Sequence, residues 1–144
     1  MKEYPESINL EDVWKLFKGF PLIHFATVDN EQPRVRTMAL IEQADRLWIA
    51  TKTSWAKVEQ LKANSNAEFV MGTQADGKPG CLRVTVITRI ENDKDTKRIF
   101  SEYIPWFESY WDSHRDPEFT LVELLPQHIR YDNPEDGLKY TVKL

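Results

Sequence analysis

The sequence contains a single cysteine, Cys81, among its 144 residues. No disulfide can therefore form within one chain, and this composition fits the reducing environment of the cytoplasm. The sequence has no run of about 18 apolar residues that could span a membrane. Residues 1–9 also lack the apolar segment of a signal peptide. The sequence thus predicts a cytoplasmic protein without membrane-spanning segments.

Glycine is also scarce in this chain, and its 23 acidic residues outnumber its 19 Lys and Arg residues. Only 5 glycines are present, and none of them forms the GxGxxG or Walker pattern of a nucleotide-binding loop. The formal net charge is -4, which argues against a general nucleic-acid-binding protein, because such proteins are usually basic on at least one face. Any site for an anion must therefore be built from a few local Arg and Lys residues.

Side chains that commonly carry catalysis are sparse as well. The three histidines, His24, His114 and His128, do not have the spacing of metal ligands with one another or with Cys81. His24 lies in an apolar segment and is expected to be a hydrogen-bonded core residue. Cys81 is expected to be a small buried or half-buried residue rather than a nucleophile. The sequence therefore assigns no catalytic side chain and no metal site.

Hydrophobic residues, by contrast, make up 41% of the chain and aromatic residues 12%, which is typical of a globular protein. We expect one domain over residues 1–144. The pattern predicts a mainly β fold with inserted helices, because most apolar segments are short and alternate with polar residues. The predicted strands are residues 22–28 (buried on most of both faces), 34–41, 47–51, 67–71, 82–90, 119–125 and 138–144, and the predicted helices are residues 7–18, 54–63 and a short one after residue 95. The turn-forming residues 74–80 are expected to form a mobile loop.

The most informative cluster of side chains comprises Arg34, Arg36, Ser54 and Lys57. Residues 34 and 36 share one face of a predicted strand, and each guanidinium can hold a phosphate through two N–H donors. Lys57 lies in the first turn of a predicted helix, where the helix dipole disfavours a cation. A phosphate bound there would reverse that effect, because free amides, the Ser54 hydroxyl and the Lys57 ammonium would all converge on it. The alternative is that all three cations are solvated surface residues.

A second cluster is aromatic and consists of Trp106, Phe107, Tyr110 and Trp111. Large aromatic side chains this close together either cap a cofactor ring or fill a subunit interface. The alternative is that they pack in the core of a single chain.

Several segments around these clusters, in this order and spacing, resemble the FMN-binding split barrels of the pyridoxamine-phosphate-oxidase-like family. Within that family they resemble the branch of general stress protein 26. The clear match covers about residues 20–72, and its segments are Phe25-Ala-Thr-Val-Asp29, Gln32-Pro-Arg-Val-Arg-Thr-Met38, Leu47-Trp-Ile-Ala-Thr51, Ser54-Trp-Ala-Lys-Val-Glu-Gln-Leu61 and Ala67-Glu-Phe-Val-Met71.

The resemblance implies a six- to seven-stranded antiparallel split β-barrel that forms a homodimer, with FMN bound at the subunit interface. Some aromatic residues near the C-terminus would then reach the site of the partner subunit. Carried over position by position, the implied cofactor-binding residues are Arg34, Arg36 and Lys57 at the phosphate, with Ser54 beside them, and backbone groups around Thr37, Met38, Ala50 and Thr51 at the ribityl chain and the isoalloxazine.

Two positions depart from the family's pattern. The family often places a phosphate-binding Ser two residues before the Lys, whereas this chain has Trp55 there and Ser54 one residue further back. The true oxidases also carry an Arg-Leu-His-type motif near the C-terminus for pyridoxal phosphate, and residues 126–142 contain no match to it. Oxidation of vitamin B6 is therefore not expected.

Three functional hypotheses remain open from the sequence. The first is an FMN-dependent oxidoreductase of unknown substrate, in which the flavin carries the hydride and no side-chain nucleophile is needed. The second is a non-enzymatic flavin-binding or redox-sensing stress protein. The third is a split barrel that binds deazaflavin F420 or haem, although the acidic tail of F420 would require a second cluster of cations that this chain does not show.

Overall fold

The computed structural model describes residues 4–144 of the chain. Regular structure is distributed over nine strands, three α-helices and two short 3₁₀ helices. The strands are β1 (Glu6–Asn9), β2 (Leu22–Asp29), β3 (Gln32–Ala39), β4 (Ile41–Gln43), β5 (Arg46–Lys52), β6 (Asn66–Ala75), β7 (Lys78–Glu91), β8 (Phe119–Asp132) and β9 (Lys139–Lys143). The helices are α1 (Leu10–Trp14), α2 (Ala56–Ala63) and α3 (Lys94–Tyr103), and the 3₁₀ turns are Lys15–Phe17 and Phe107–Ser109.

All nine strands belong to one sheet that curls into an open barrel. The main path runs β1-β9-β8-β7-β6-β2-β3, and β5 adds to β8 while β4 pairs with β5. Neighbouring strands are antiparallel except for β1 and β9, which pair in parallel. The sheet does not close on itself, so the fold is a split barrel. None of the helices in the described part of the chain is both long and apolar enough to cross a membrane.

The predicted mainly β fold with inserted helices is confirmed, with more strands than the six or seven expected. The start of the segment predicted as a helix, residues 7–18, instead forms β1, which pairs with β9. The short strand β4 pairs with β5 across a turn in which Ala44 and Asp45 both have positive φ. Both strands are defined by a partner strand rather than by their own periodicity, so the sequence pattern did not reveal them.

The prediction of a mobile loop over residues 74–80 is wrong. Strand β6 continues to Ala75, β7 begins at Lys78, and only Asp76 and Gly77 form the turn. Their φ angles are 50° and 76°, which is the left-handed conformation that a two-residue hairpin turn requires and that Asp-Gly favours. These turn-forming residues therefore join two long strands tightly.

Strand β2 alternates between buried and exposed residues, which corrects the prediction that both of its faces are mostly buried. Ile23, Phe25 and Thr27 point into the barrel, whereas Leu22 and His24 lie on the outer face. His24 is therefore not a core residue. Its Nδ1 lies 3.1 Å from Thr37 Oγ1 on the neighbouring strand β3.

Two groups of buried side chains fill the interior. The larger one lines the inside of the barrel and includes Phe25, Phe69 and Val84. The smaller one is mostly aromatic and packs α3 and the segment after it against β5 and β8; its members are Ile41, Trp48, Phe100, Ile104, Phe107, Trp111, Phe119 and Leu121. The core interpretation of the aromatic cluster thus holds for Phe107 and Trp111.

Candidate functional site

Arg36 and Lys57 bring two positive charges together at one end of the barrel. Arg36 lies on β3 directly opposite Phe25 of β2, and its guanidinium carbon is 6.0 Å from the centroid of that buried ring. Lys57 lies in the first turn of α2. The two elements are tied together by Gln60 of α2, whose Oε1 accepts a hydrogen bond from Arg36 Nη2 at 3.1 Å.

Neutral groups hold the Arg36 guanidinium in place. Besides its bond to Gln60, Nη1 donates to the carbonyl oxygen of Phe25 at 3.2 Å. Gln60 Oε1 also accepts a hydrogen bond from Thr27 Oγ1 at 2.5 Å, so two donors on β2 and β3 hold this one oxygen. Burial lowers the pKa of Arg36 below its ordinary value, although a guanidinium stays charged under physiological conditions.

Lys57 is almost entirely buried, with 8% of its surface exposed. Its Nζ donates a hydrogen bond to Thr51 Oγ1 at 2.8 Å and lies 4.5 Å from the centroid of the Trp55 ring. Desolvation, and to a smaller extent the charge of Arg36, lowers the pKa of Lys57 to about 8. The ammonium is thus held in a place that disfavours its charge.

Neither cation has a counter-ion in the described part of the chain. No carboxylate of residues 4–144 lies within 4.0 Å of Arg36 or Lys57. A buried charge without a partner is costly, and two like charges side by side add to the cost. In a chain with a net charge of -4, this uncompensated pair is an arrangement that a bound anion would stabilise.

The other two residues of the predicted cluster have different partners. Arg34 is largely exposed, and its Nε lies 3.6 Å from Asp29 Oδ2. The backbone N–H and the hydroxyl of Ser54 both donate to Glu118 Oε2, at 3.1 and 2.9 Å. Helix α2 begins at Ala56 with Trp55 as its N-cap, so Ser54 lies just before the helix rather than within it. Of the four residues, the structure brings Arg36 and Lys57 together.

A cavity of about 290 Å³ is connected with Lys57 through Trp55, which lines the cavity and contacts the ammonium. Four residues of β3 and β5 and four large aromatic residues line it, namely Thr37, Met38, Ala39 and Ala50 together with Trp55, Trp106, Tyr110 and Trp111. No charged side chain of the described residues is among them. Of the four residues predicted to contact the ribityl chain and the isoalloxazine, Thr37, Met38 and Ala50 line this cavity. The fourth, Thr51, accepts a hydrogen bond from Lys57 instead.

The aromatic cluster predicted from the sequence has a divided role. Trp111 belongs to the buried core and also lines the cavity, while Trp106 is partly buried and packs edge-on against Phe20 with ring centroids 5.3 Å apart. Tyr110 also lines the cavity, and 48% of its surface is exposed. This segment therefore contributes both to the core and to the lining of the cavity.

Sequence reasoning missed Gln60 and the position of Trp55. Gln60 lies three residues after Lys57, and side chains at this spacing share one face of a helix, which is the signal that indicates it. In the sequence, Trp55 stands out as a departure from the family pattern. In the structure it lines the cavity and also contacts Lys57, so it connects the aromatic cavity with the cationic pair.

The remaining reactive groups do not form a second centre. Among residues 4–144, no three His, Cys, Asp or Glu side chains are arranged to hold a metal ion. Cys81 Sγ lies 3.6 Å from Asp132 Oδ2, and burial together with this carboxylate raises the pKa of the thiol, which makes it a poorer nucleophile. Among the described residues, the cavity lining offers a surface for a flat ring, and Lys57, in contact with Trp55 of that lining, offers a positive charge for an anionic group.

Comparison with known proteins gives one family match and many structural neighbours. The model of the family described as pyridoxamine 5'-phosphate oxidase matches residues 10–133. General stress protein 26 of Bacillus subtilis (strain 168) is 24% identical over 121 residues, which cover 83% of this chain and 84% of that protein.

Solved structures with the same fold include General Stress Protein 26 from Bacillus anthracis str. Sterne. It has a TM-score of 0.71 and 22% identity, and the match covers 84% of this chain and 91% of that chain. A NimC/NimA family protein from Clostridium acetobutylicum has a TM-score of 0.77 and 20% identity, with 94% and 92% covered. Among the more distant neighbours are an FAD-binding protein from Mesorhizobium loti, with a TM-score of 0.67, and a heme storage protein from Vibrio cholerae, with a TM-score of 0.64.

Proposed function

This chain belongs to the pyridoxamine 5'-phosphate oxidase family, and from that premise we propose that it binds FMN and acts as a flavin-dependent oxidoreductase. The observation that carries the proposal is the pair of half-buried Arg36 and buried Lys57, which has no counter-ion among residues 4–144. A phosphate dianion would neutralise both charges and accept hydrogen bonds from both side chains. Charge-assisted hydrogen bonds contribute roughly 1.5–3 kcal/mol each, so the pair would provide a large part of the affinity.

The aromatic cavity next to this pair supports the flavin ring as the second part of the ligand. Its lining combines short residues on two strands with the rings of Trp55, Trp106, Tyr110 and Trp111. Aromatic rings favour stacked and edge-on contacts with a flat heterocycle. When bound, FMN supplies hydride transfer, while the side chains of this chain orient the ring, exclude water from it and hold the phosphate.

The substrate is proposed to differ from the vitamin B6 phosphates. The segment in which the true oxidases carry their pyridoxal-phosphate motif corresponds here to the end of β8 and to β9 and contains no match. Residues 126–132 are part of the sheet, where they pair with β7. The enzyme proposed here therefore takes a different substrate and shares the cofactor.

The neighbour described as a heme storage protein makes haem a competing ligand. Haem iron is most often bound through His or Cys, and neither residue type lines the cavity in the described chain. The cavity is instead lined by Trp55, whose ring contacts the Lys57 ammonium. These features favour a flavin over haem, and a deazaflavin with a longer acidic tail would lack cations for that tail.

We also propose that two chains associate and that the cavity lies at their interface. The outer face of β2 and β3 exposes Leu22 and Val35, whose surfaces are 67% and 69% accessible. Exposed apolar side chains next to an open cavity are typical of a protein–protein contact.

The cytoplasm is the proposed compartment, because Cys81 is the sole cysteine of the chain.

The visible spectrum of the purified protein tests this proposal. We expect bound or titratable FMN with an absorption band at ~450 nm, as for an isoalloxazine cofactor. A haem spectrum, or no binding of FMN, would contradict it. If FMN binds, adding NADH or NADPH under anaerobic conditions distinguishes an oxidoreductase, whose flavin is bleached, from a flavin carrier, whose spectrum stays unchanged with either donor.

A further inference from the structure

Trp55 occupies the one place where the neutral cavity and the cationic pair meet in the described chain. Its indole lines the cavity, and the same ring lies 4.5 Å from the Lys57 ammonium. Trp55 is the N-cap of α2 but makes no capping hydrogen bond through its side chain, and 46% of its surface is exposed. Neither helix capping nor core packing therefore explains a tryptophan at this position.

The ring of Trp55 changes the surroundings of Lys57. The ammonium contacts Thr51 of β5 and Trp55 of its own helix, and Arg36 of β3 acts on it through its charge. An aromatic face attracts a cation and keeps water away from it, and a poorly hydrated cation interacts more strongly with an anion than a hydrated one. The lowered pKa of Lys57 is consistent with this exclusion of water, because desolvation is its main cause.

We propose that Trp55 is a positioning residue that couples the two halves of the ligand site: it stacks against the ring of the ligand and, through Lys57, strengthens the contact with the phosphate. This inference rests on the proposed binding of FMN. It goes beyond that proposal because a residue that formed only a wall of the cavity would leave the phosphate contact unchanged.

Affinities for FMN and for riboflavin separate the two effects, since the ligands differ only in the phosphate. For Trp55→Ala we expect riboflavin to bind about 10-fold more weakly through lost stacking. FMN should lose this factor and about 5- to 10-fold more, so the ratio of the two affinities falls. Trp55→Phe keeps an aromatic face over Lys57 and should keep the ratio near that of the wild type.

Tyr110→Ala is the matched control. Tyr110 lines the same cavity and is exposed to nearly the same extent, 48% against 46%, but it makes no contact with Lys57. Its loss should weaken FMN and riboflavin by the same factor. If Trp55→Ala also weakens both ligands equally, or weakens neither, Trp55 does not act through Lys57 and the inference is overturned.

The pH dependence gives a second readout that a structural effect would not change. In the wild type, the ratio of FMN to riboflavin affinity should fall about 10-fold per pH unit above pH 8, because Lys57 must take up a proton to bind the phosphate. In Trp55→Ala, water reaches the ammonium, so the fall should begin at a higher pH. An identical onset in both proteins would contradict the inference. Wild type that binds neither flavin would instead refute the proposed function, so the two failures are distinguishable.

Discussion

At the scale of single residues, Lys57 indicates that the proposed binding site has a cost in stability. Its ammonium is buried and lies near the positive charge of Arg36. Among the described residues, it donates one hydrogen bond, to the hydroxyl group of Thr51. Residues that serve a ligand often destabilise the ligand-free protein in this way. The position of Lys57 in the first turn of α2, against the helix dipole, has the same explanation.

The variant Lys57→Met tests this cost. Its unfolding free energy at pH 7 should exceed that of the wild type by about 1–2 kcal/mol, because a buried charge is replaced by an apolar chain of similar length. The pKa of Lys57 is about 8 in the folded protein and 10.5 as an ordinary value. Between these values the folded protein loses the proton before the unfolded chain does, so the stability of the wild type rises with pH and the difference should shrink.

Denaturant unfolding in phosphate-free buffer at pH 7, 8, 9 and 10 measures this difference. Lys62→Met is the control on the same helix, because Lys62 is exposed and pairs with Glu59. That variant should show a small difference that does not change over this pH range. A Lys57→Met protein that is less stable than the wild type at every pH would contradict the account.

The sequence predicted the cationic pair but not the partners of its neighbours. Arg36 and Lys57 could be recognised from strand alternation and from the helix start, which are both local patterns. Ser54 is bound to Glu118, a residue 64 positions away in the chain, and local spacing carries no information on such a contact. The place of Trp55 in the cavity lining likewise depends on segments distant in the chain, so it emerged only from the structure.

At the scale of elements, the hairpin between β6 and β7 is held against the end of β8. A Cβ atom added at Gly80 would lie 2.5 Å from the carbonyl oxygen of Asp132 and 2.6 Å from Cδ of Pro134. Such distances are well inside van der Waals contact, so the backbone would have to move. The glycine is needed here for close approach of the strands rather than for a special backbone angle.

We expect Gly80→Ala to lower the unfolding free energy by about 1–3 kcal/mol through this steric conflict. Gly72→Ala is the matched control, since Gly72 lies in β6 opposite Cys81 and no atom lies within 4 Å of an added Cβ. Its effect should stay within about 0.5 kcal/mol. Equal losses in the two variants, measured by urea unfolding, would show that the contact with β8 does not control this hairpin.

The sequence predicted the elements unevenly for a physical reason. A strand with one buried face, such as β7, shows the alternation that defines it. The second half of β8 was not predicted, because residues 126–132 are mostly polar and contain a proline, and their pairing with β7 includes an irregularity at Thr85/Val86. Distant strand pairing, rather than local preference, places this segment in the sheet.

At the scale of the whole molecule, the open barrel leaves one apolar face uncovered next to the cavity. Leu22 and Val35 lie on this outer face, which also carries Thr37 of the cavity lining. If two chains meet here, the interface and the ligand site form together. The order of strands in the sheet thus links the proposed dimer with the proposed cofactor.

Sedimentation analysis tests this link. The wild type should have twice the mass of one chain. The double variant Leu22→Glu/Val35→Glu should be a monomer, because charges on an apolar contact face are costly to bury. FMN affinity should fall with the loss of the dimer. Leu144→Glu is the control, since Leu144 is similarly exposed at 61% but follows β9 at the far end of the sheet. A monomeric wild type that binds FMN would contradict the proposal.

The central claim is that Arg36 and Lys57, which have no counter-ion among the described residues, bind the phosphate of FMN. The most direct test is titration of FMN and riboflavin into the wild type, Arg36→Ala/Lys57→Ala and the control Lys62→Ala. The account predicts that the double variant loses several kcal/mol of FMN affinity, at roughly 1.5–3 kcal/mol for each charged contact. Its affinity for riboflavin should change little, and Lys62→Ala should bind both flavins as the wild type does. Unchanged FMN affinity in the double variant would contradict the account.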